Sequence, residues 1–220
     1  MDRSASWATV EEQRLSLADL LDDLTAEQWQ HPSLCAGWRV CDVAAHLTLG
    51  ALITPLTAMA DFVRARGNVN RLIHDTAVRR ADSATQQSVI ADLRRIAASR
   101  KHPPGTSYLD PMADVLVHGQ DIAVPLRMTR AIPVGPATVA ATRDYGMGFP
   151  FFARRRLAGL RLTATDTSWS VGTGLSVEGP ISALLLLISG RTAALGALSG
   201  DGMPSLLARL PASTGDEESV

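Results

Sequence analysis

The chain is short of cysteine, of aromatic residues and of net charge, and each shortage closes off a class of protein. Cys35 and Cys41 are its two cysteines among 220 residues. They form no CxxC pair and no disulfide framework, so a reducing compartment, the cytoplasm, is the expected setting. Aromatic residues make up 5% of the chain, and no basic face with interleaved aromatics exists, which argues against nucleic acid as a partner. Lys and Arg number 21 against 22 Asp and Glu, a formal net charge of -1. That balance gives no general attraction to nucleic acid or to an anionic membrane. Long apolar runs are also missing. Residues 43–60 are nearly long enough to span a bilayer, but His46, Thr48, Thr54, Pro55 and Thr57 interrupt them. The run 181–188 is too short. Met1-Asp2-Arg3-Ser4 has no basic stretch leading into an apolar one, so no signal peptide is expected. No internal repeat is found.

What is present is helical periodicity followed by a change of texture. Val10, Leu15, Leu17, Leu20, Leu21 and Leu24 fall mostly at helical spacings, predicting a helix over 7–24. Thr25 can cap a short turn that follows. Pro32 and Gly37 mark a loop over 31–37. A long helix is predicted from Arg39 to about Arg66, bent at Pro55 and stopped by Gly67. Helices over 69–80 and 84–100 come next, and then a break over 101–105. A helix from about Pro111 to Leu126 follows, with Asp110 as its expected N-cap. Another is predicted over 135–157, its Arg154-Arg155-Arg156 end being a solvated run that suits the helix dipole. From Leu160 the pattern alternates with period two. Strands are expected over 160–166, 169–171 and 175–177, then an apolar helix over 181–189 and a last turn over 204–210. The reading is a mainly helical chain: a bundle over 1–157, a small α/β domain over 158–210, and an acidic, disordered tail over 211–220.

The sharpest chemical signal is Asp114-Val-Leu-Val-His118. A carboxylate and an imidazole four apart share one helix face and can reach one metal ion from a rigid backbone. Asp121 continues the same stripe. The second signal is His46 on an apolar helix, with Asp42 one turn before it as a potential acceptor for the second ring N–H, as ligand histidines commonly have. Two facing helices would bring His46, Asp114 and His118 together. Three N/O ligands with open positions describe a catalytic site rather than a structural one; a fourth, such as His74, would favour a structural one. Single pairs of this kind also occur as surface salt bridges. His31, His74 and His102 read as solvated, and both cysteines as buried, inert thiols.

At these residues the chain resembles the mycothiol-dependent maleylpyruvate isomerase-like family, a branch of the DinB-like metal-binding bundles. The matching pieces are Cys35-Ala-Gly-Trp-Arg-Val-Cys-Asp-Val-Ala-Ala-His-Leu47 and Asp114-Val-Leu-Val-His-Gly-Gln-Asp-Ile122. The C-terminal pieces are Thr165-Asp-Thr-Ser-Trp169, Val177-Glu-Gly-Pro180, Leu184-Leu-Leu-Leu187 and Ser189-Gly-Arg191. The resemblance implies a DinB-like four-helix bundle with a smaller C-terminal α/β portion. It also implies a divalent metal, usually zinc, held by His46, Asp114 and His118, with Asp114 standing where maleylpyruvate isomerase has Glu. Asp42 and Asp121 would orient the ligands, and Arg191 would meet an anionic group of cofactor or substrate. Mycothiol would be the thiol cosubstrate, and the activity a thiol transfer or isomerisation on a small electrophile, by a monomer or homodimer. A non-catalytic metal-binding or regulatory bundle and a metal-dependent hydrolase are the alternatives.

Overall fold

The computed structural model describes residues 1–103 and 105–210; the expected acidic tail over 211–220 lies outside the described residues. The chain divides into two compact units, Met1–Ala140 and Ala141–Val220. Among the described residues no helix is long and apolar enough to cross a membrane.

The first unit is helical. α1 (Arg3–Asp22) is opened by Asp2, whose carboxylate accepts from the Ala5 N–H at 2.8 Å. α2 (Ala26–Gln30) is a single turn held by a reciprocal cap between Thr25 and Gln28. α3 (Val40–Leu52) and α4 (Pro55–Arg64) replace the one long helix expected over 39–66. Pro55 does not bend that helix. It starts a new one, with Thr54 as the cap, because proline has no N–H to extend the α3 ladder but suits the first position of a helix. α5 (Val69–Asp82), α6 (Gln86–Arg95) and α7 (Asp110–Ala123) complete the set. Leu109, not Asp110, stands at the cap of α7; the Asp110 carboxylate instead reaches back to the Ser107 N–H at 2.6 Å.

α1 packs on α6 and α7, and α3 packs on α5, α6 and α7. These contacts make the expected helical bundle, with Leu17, Leu21, Val43, Leu47, Val89, Leu93, Val115 and Ile122 in its core. The small Ala44 and Ala45 of α3 are fully buried, which lets the neighbouring helices approach closely.

α8 (Val134–Gly146) contains the division between the units. The helix expected over 135–157 ends at Gly146, and only the single turn α9 (Ala153–Arg156) follows. The second compact unit begins at Ala141, and residues on both sides of position 157 bond within it. The Trp169 indole N–H donates to the Thr142 hydroxyl at 2.9 Å. Arg156, expected to be solvated, donates to the carbonyls of Ile188 (2.6 Å) and Leu187 (3.3 Å), capping a helix C-terminus.

The second unit is built on β1 (Leu160–Ala164), β2 (Ser170–Gly172) and β3 (Leu175–Gly179), in the order β2-β1-β3. Leu162 faces Val171 in the antiparallel pair and Val177 in the parallel one. Leu160, Leu162 and Ala164 are buried while Arg161 is exposed, the alternation read from the sequence. Between β2 and β3, Gly174 has φ +119, and a Cβ there would lie 2.1 Å from the Gly159 carbonyl oxygen. α10 (Ile181–Ile188) packs on β1 and β3, and its first N–H is accepted by Asp166 at 2.9 Å. A last turn, α11 (Met203–Leu207), follows.

Candidate metal centre

The site is made where α3 meets α7. His46 Nε2 lies 3.5 Å from Asp114 Oδ1, and His118 Nε2 lies 3.3 Å from the same oxygen. The His46 and His118 rings meet edge to face, with centroids 5.0 Å apart. All three ligating atoms lie within 4.8 Å of one another. The two imidazoles are 19% and 13% exposed and Asp114 is 41% exposed, so the cluster is walled by the histidines and open on the carboxylate side. Among the described residues no fourth His, Cys, Asp or Glu joins this set; His74 does not.

Behind His118 stands Asp121, whose side chain is 0% exposed and whose Oδ2 lies 2.7 Å from His118 Nδ1. An ionised carboxylate only accepts, so the proton sits on Nδ1 and the Nε2 lone pair is left for the site. Burial by itself would push the His118 pKa down. The Asp114 and Asp121 carboxylates reverse this and hold it well above its ordinary value. Burial likewise pushes Asp114 up, but His46 and His118 bring it well below the usual carboxylate range. In the metal-free protein a proton on His118 thus supplies the positive charge between the carboxylates. Two imidazole nitrogens and one carboxylate oxygen, with one tautomer fixed from behind, are a donor set that fits a divalent ion of the zinc type.

Asp42 does not stand behind His46. Its carboxylate, 2% exposed, accepts from the Arg39 backbone N–H at 2.8 Å and from the Arg39 guanidinium at 2.9 and 2.8 Å. Asp42 occupies the third position of α3, where a carboxylate turns back to the helix start and closes the cap. Arg39 also reaches Asp82 at 2.7 Å, tying α3 to α5.

Two residues near the site carried no signal of their own in the sequence periodicity. Cys35, expected to be an inert buried thiol, is only half-buried. Its Sγ donates to Asp121 Oδ2 at 3.1 Å and lies 3.6 Å from His118 Nδ1. Cys35, His118 and Asp121 thus form a second triad at the other nitrogen, Nδ1, of the same imidazole. The Leu34 N–H donates to the Asp121 carbonyl at 3.1 Å, so this loop is pinned to α7. Trp38 is the other residue; its ring lies beside those of His46, His118 and His74. Their membership in the Cys35-Ala-Gly-Trp38 motif was the available clue. Cys41 matches expectation: burial, with Asp42 beside it, pushes its thiol up to about 11.

The remaining histidines are peripheral. His31 and His74 are exposed, the latter 3.2 Å from Asp75, and His102 stacks near Trp7. Arg191 lies after α10 in the second unit, where it donates to the Ser189 carbonyl at 2.6 Å.

The helical bundle followed by a small three-stranded sheet has the DinB-like fold that the resemblance implied. Within that class, residues 10–105 match the family model of the mycothiol maleylpyruvate isomerase N-terminal domain. This match agrees with the sequence resemblance. The crystal structure of the mycothiol-dependent maleylpyruvate isomerase shares the fold over 91% of this chain and 93% of its own, at 13% identity and a TM-score of 0.61. A histidine-to-alanine mutant of that isomerase matches over the same shares at 12% identity and a TM-score of 0.55. No curated protein matches the chain by sequence.

Proposed function

We propose that this chain is a metal-dependent, mycothiol-dependent enzyme that transfers a thiol to a small electrophilic substrate, or isomerises it by thiol addition and release. The observation that carries the reading is the convergence of His46 Nε2, His118 Nε2 and Asp114 Oδ1 from two helices on one open-sided point. Three protein ligands leave a position for an exchangeable group, the pattern of a catalytic site. In this reading the three side chains hold a divalent ion, with zinc the first candidate. Such an ion, when bound, keeps a coordinated thiol deprotonated near neutral pH and so supplies a nucleophile.

The chain's own residues do the rest. Asp121 holds the His118 tautomer, and the Cys35 thiol and the Leu34 N–H hold Asp121. Asp114, as the exposed member, sits on the side from which small molecules enter. Mycothiol comes to this reading from the family model that residues 10–105 match and from the names of the proteins that share the fold.

Elemental analysis of freshly purified protein tests the proposal: about one metal equivalent per chain is expected from a single three-ligand site. A variant combining His46→Ala with His118→Ala should lose the metal and keep its helical circular dichroism. Full metal retention in that variant refutes the ligand set. Mycothiol added to the cobalt-substituted protein should produce a thiolate-to-metal absorption band; if none appears, thiol ligation is excluded and the hydrolytic reading, with bound water in the open position, takes its place.

A further inference from the structure

The two histidines of the site are not supported alike. His118 has a buried carboxylate behind its second nitrogen. His46 has none: Asp42 is taken by Arg39, and among the described residues no protein group is hydrogen-bonded to His46 Nδ1. Ligand histidines ordinarily need such a partner, because the last side-chain torsion of histidine is broad and leaves the ring plane loosely fixed. What stands against His46 instead is the indole of Trp38, with centroids 5.1 Å apart and planes inclined by 43°. The same indole reaches the His118 ring at 6.2 Å.

Two observations separate Trp38 from a residue that merely fills space. First, it is 8% exposed, yet its indole N–H is buried without a hydrogen-bond partner. Buried tryptophan N–H groups usually find an acceptor, so the ring is held where its N–H is left unserved. Second, the loop before it is built to fix it. The Trp38 N–H donates to the Cys35 carbonyl, and the Trp38 carbonyl accepts from both the N–H and the hydroxyl of Ser33, all at 2.9 Å. Gly37 makes the turn into Trp38 at φ +79, in the left-handed region that favours glycine.

We infer that Trp38 is the positioning residue for His46: its ring packs against the imidazole where no protein carboxylate stands, and fixes the plane in which His46 Nε2 meets Asp114 Oδ1 and His118 Nε2. The inference rests on the reading of this cluster as a metal centre. It assigns the two ligand helices different supports, a carboxylate for His118 and an aromatic ring for His46.

The test titrates Co²⁺ into the metal-free full-length protein while recording the visible cobalt spectrum and tryptophan emission. An ion held by His46 lies close to the Trp38 ring, so Co²⁺ should quench a component of the emission that Trp38→Phe removes. Trp38→Phe keeps an aromatic ring and should bind Co²⁺ within about threefold of the parent, whereas Trp38→Leu should bind on the order of tenfold more weakly, as loss of a ligand's support does. The leucine variant should also show an altered cobalt spectrum while the metal-free protein keeps a cooperative urea transition, its midpoint lowered as truncation of a buried ring requires. Parental affinity and spectrum in Trp38→Leu would overturn the inference, as would quenching that persists undiminished in Trp38→Phe. If the leucine variant does not fold, the quenching comparison decides alone. No Co²⁺ uptake by the parent protein would overturn the metal-centre reading too, while equal uptake by all three proteins overturns only the role of Trp38.

Discussion

Replacing Asp121 isolates what the buried carboxylate does for the site. Asp121→Asn keeps the shape of the side chain and an oxygen that can still accept from His118 Nδ1, but it removes the charge 2.7 Å from that nitrogen. Asp121→Ala removes the acceptor altogether and leaves the Cys35 thiol without this contact. Loss of such a partner ordinarily weakens metal binding by about 10- to 100-fold, or about 1.4–2.7 kcal/mol. The asparagine variant belongs at the lower end and the alanine variant at the upper. Competition against a chromogenic chelator measures both. The sign of the pH dependence sharpens the test, because proton and metal compete for His118 Nε2. Asp114 and Asp121 hold the His118 proton well above the ordinary value of 6.5, so metal affinity of the parent should fall as pH is lowered through the neutral range. Without the Asp121 charge His118 gives up that proton more readily. The deficit of Asp121→Asn should therefore be greatest at alkaline pH, where no proton is displaced, and narrow as pH falls. Parental affinity in Asp121→Ala, or a deficit that widens toward acid, refutes the assignment of Asp121 as the group that orients His118.

Three further outcomes are expected. The His118–Asp114 interaction should stabilise the metal-free protein most between about pH 4 and 6.5. The raised His118 contributes fully below 6.5 and loses its share as pH rises through its folded value, while the lowered Asp114 contributes above 3.8 and loses its share toward acid; thermal melts with and without chelator check this, and metal-loaded protein should show the opposite trend above neutrality. Arg39→Ala strands the buried Asp42 carboxylate and should destabilise the fold by about 3 kcal/mol in urea unfolding, with most of the loss recovered by adding Asp42→Asn. Of the two thiols, Cys35 should be alkylated first and Cys41 should resist in the native state, since its thiol is buried and pushed up to about 11; peptide mass spectrometry after a timed reaction distinguishes them.

The sequence by itself determined most of the elements and their order, though not the break at Pro55 or the end of α8 at Gly146. Helical periodicity, the turn residues and the period-two stretch at Leu160 gave the bundle followed by the strands and the apolar α10, because local patterning and capping decide which backbone conformation a segment takes. It also placed Asp114, His118 and Asp121 on one face of one helix, since i, i+4 and i+7 coincide there whatever the rest of the chain does. Only the tertiary structure decided that His46 meets this face, that Asp42 answers Arg39 rather than His46, and that Cys35 and Trp38 stand around the two imidazoles. These are contacts between residues far apart in the chain, or choices between nearby partners. Periodicity carries no distance between segments, and a carboxylate near a helix start can equally serve the cap or the site, so packing alone resolves them.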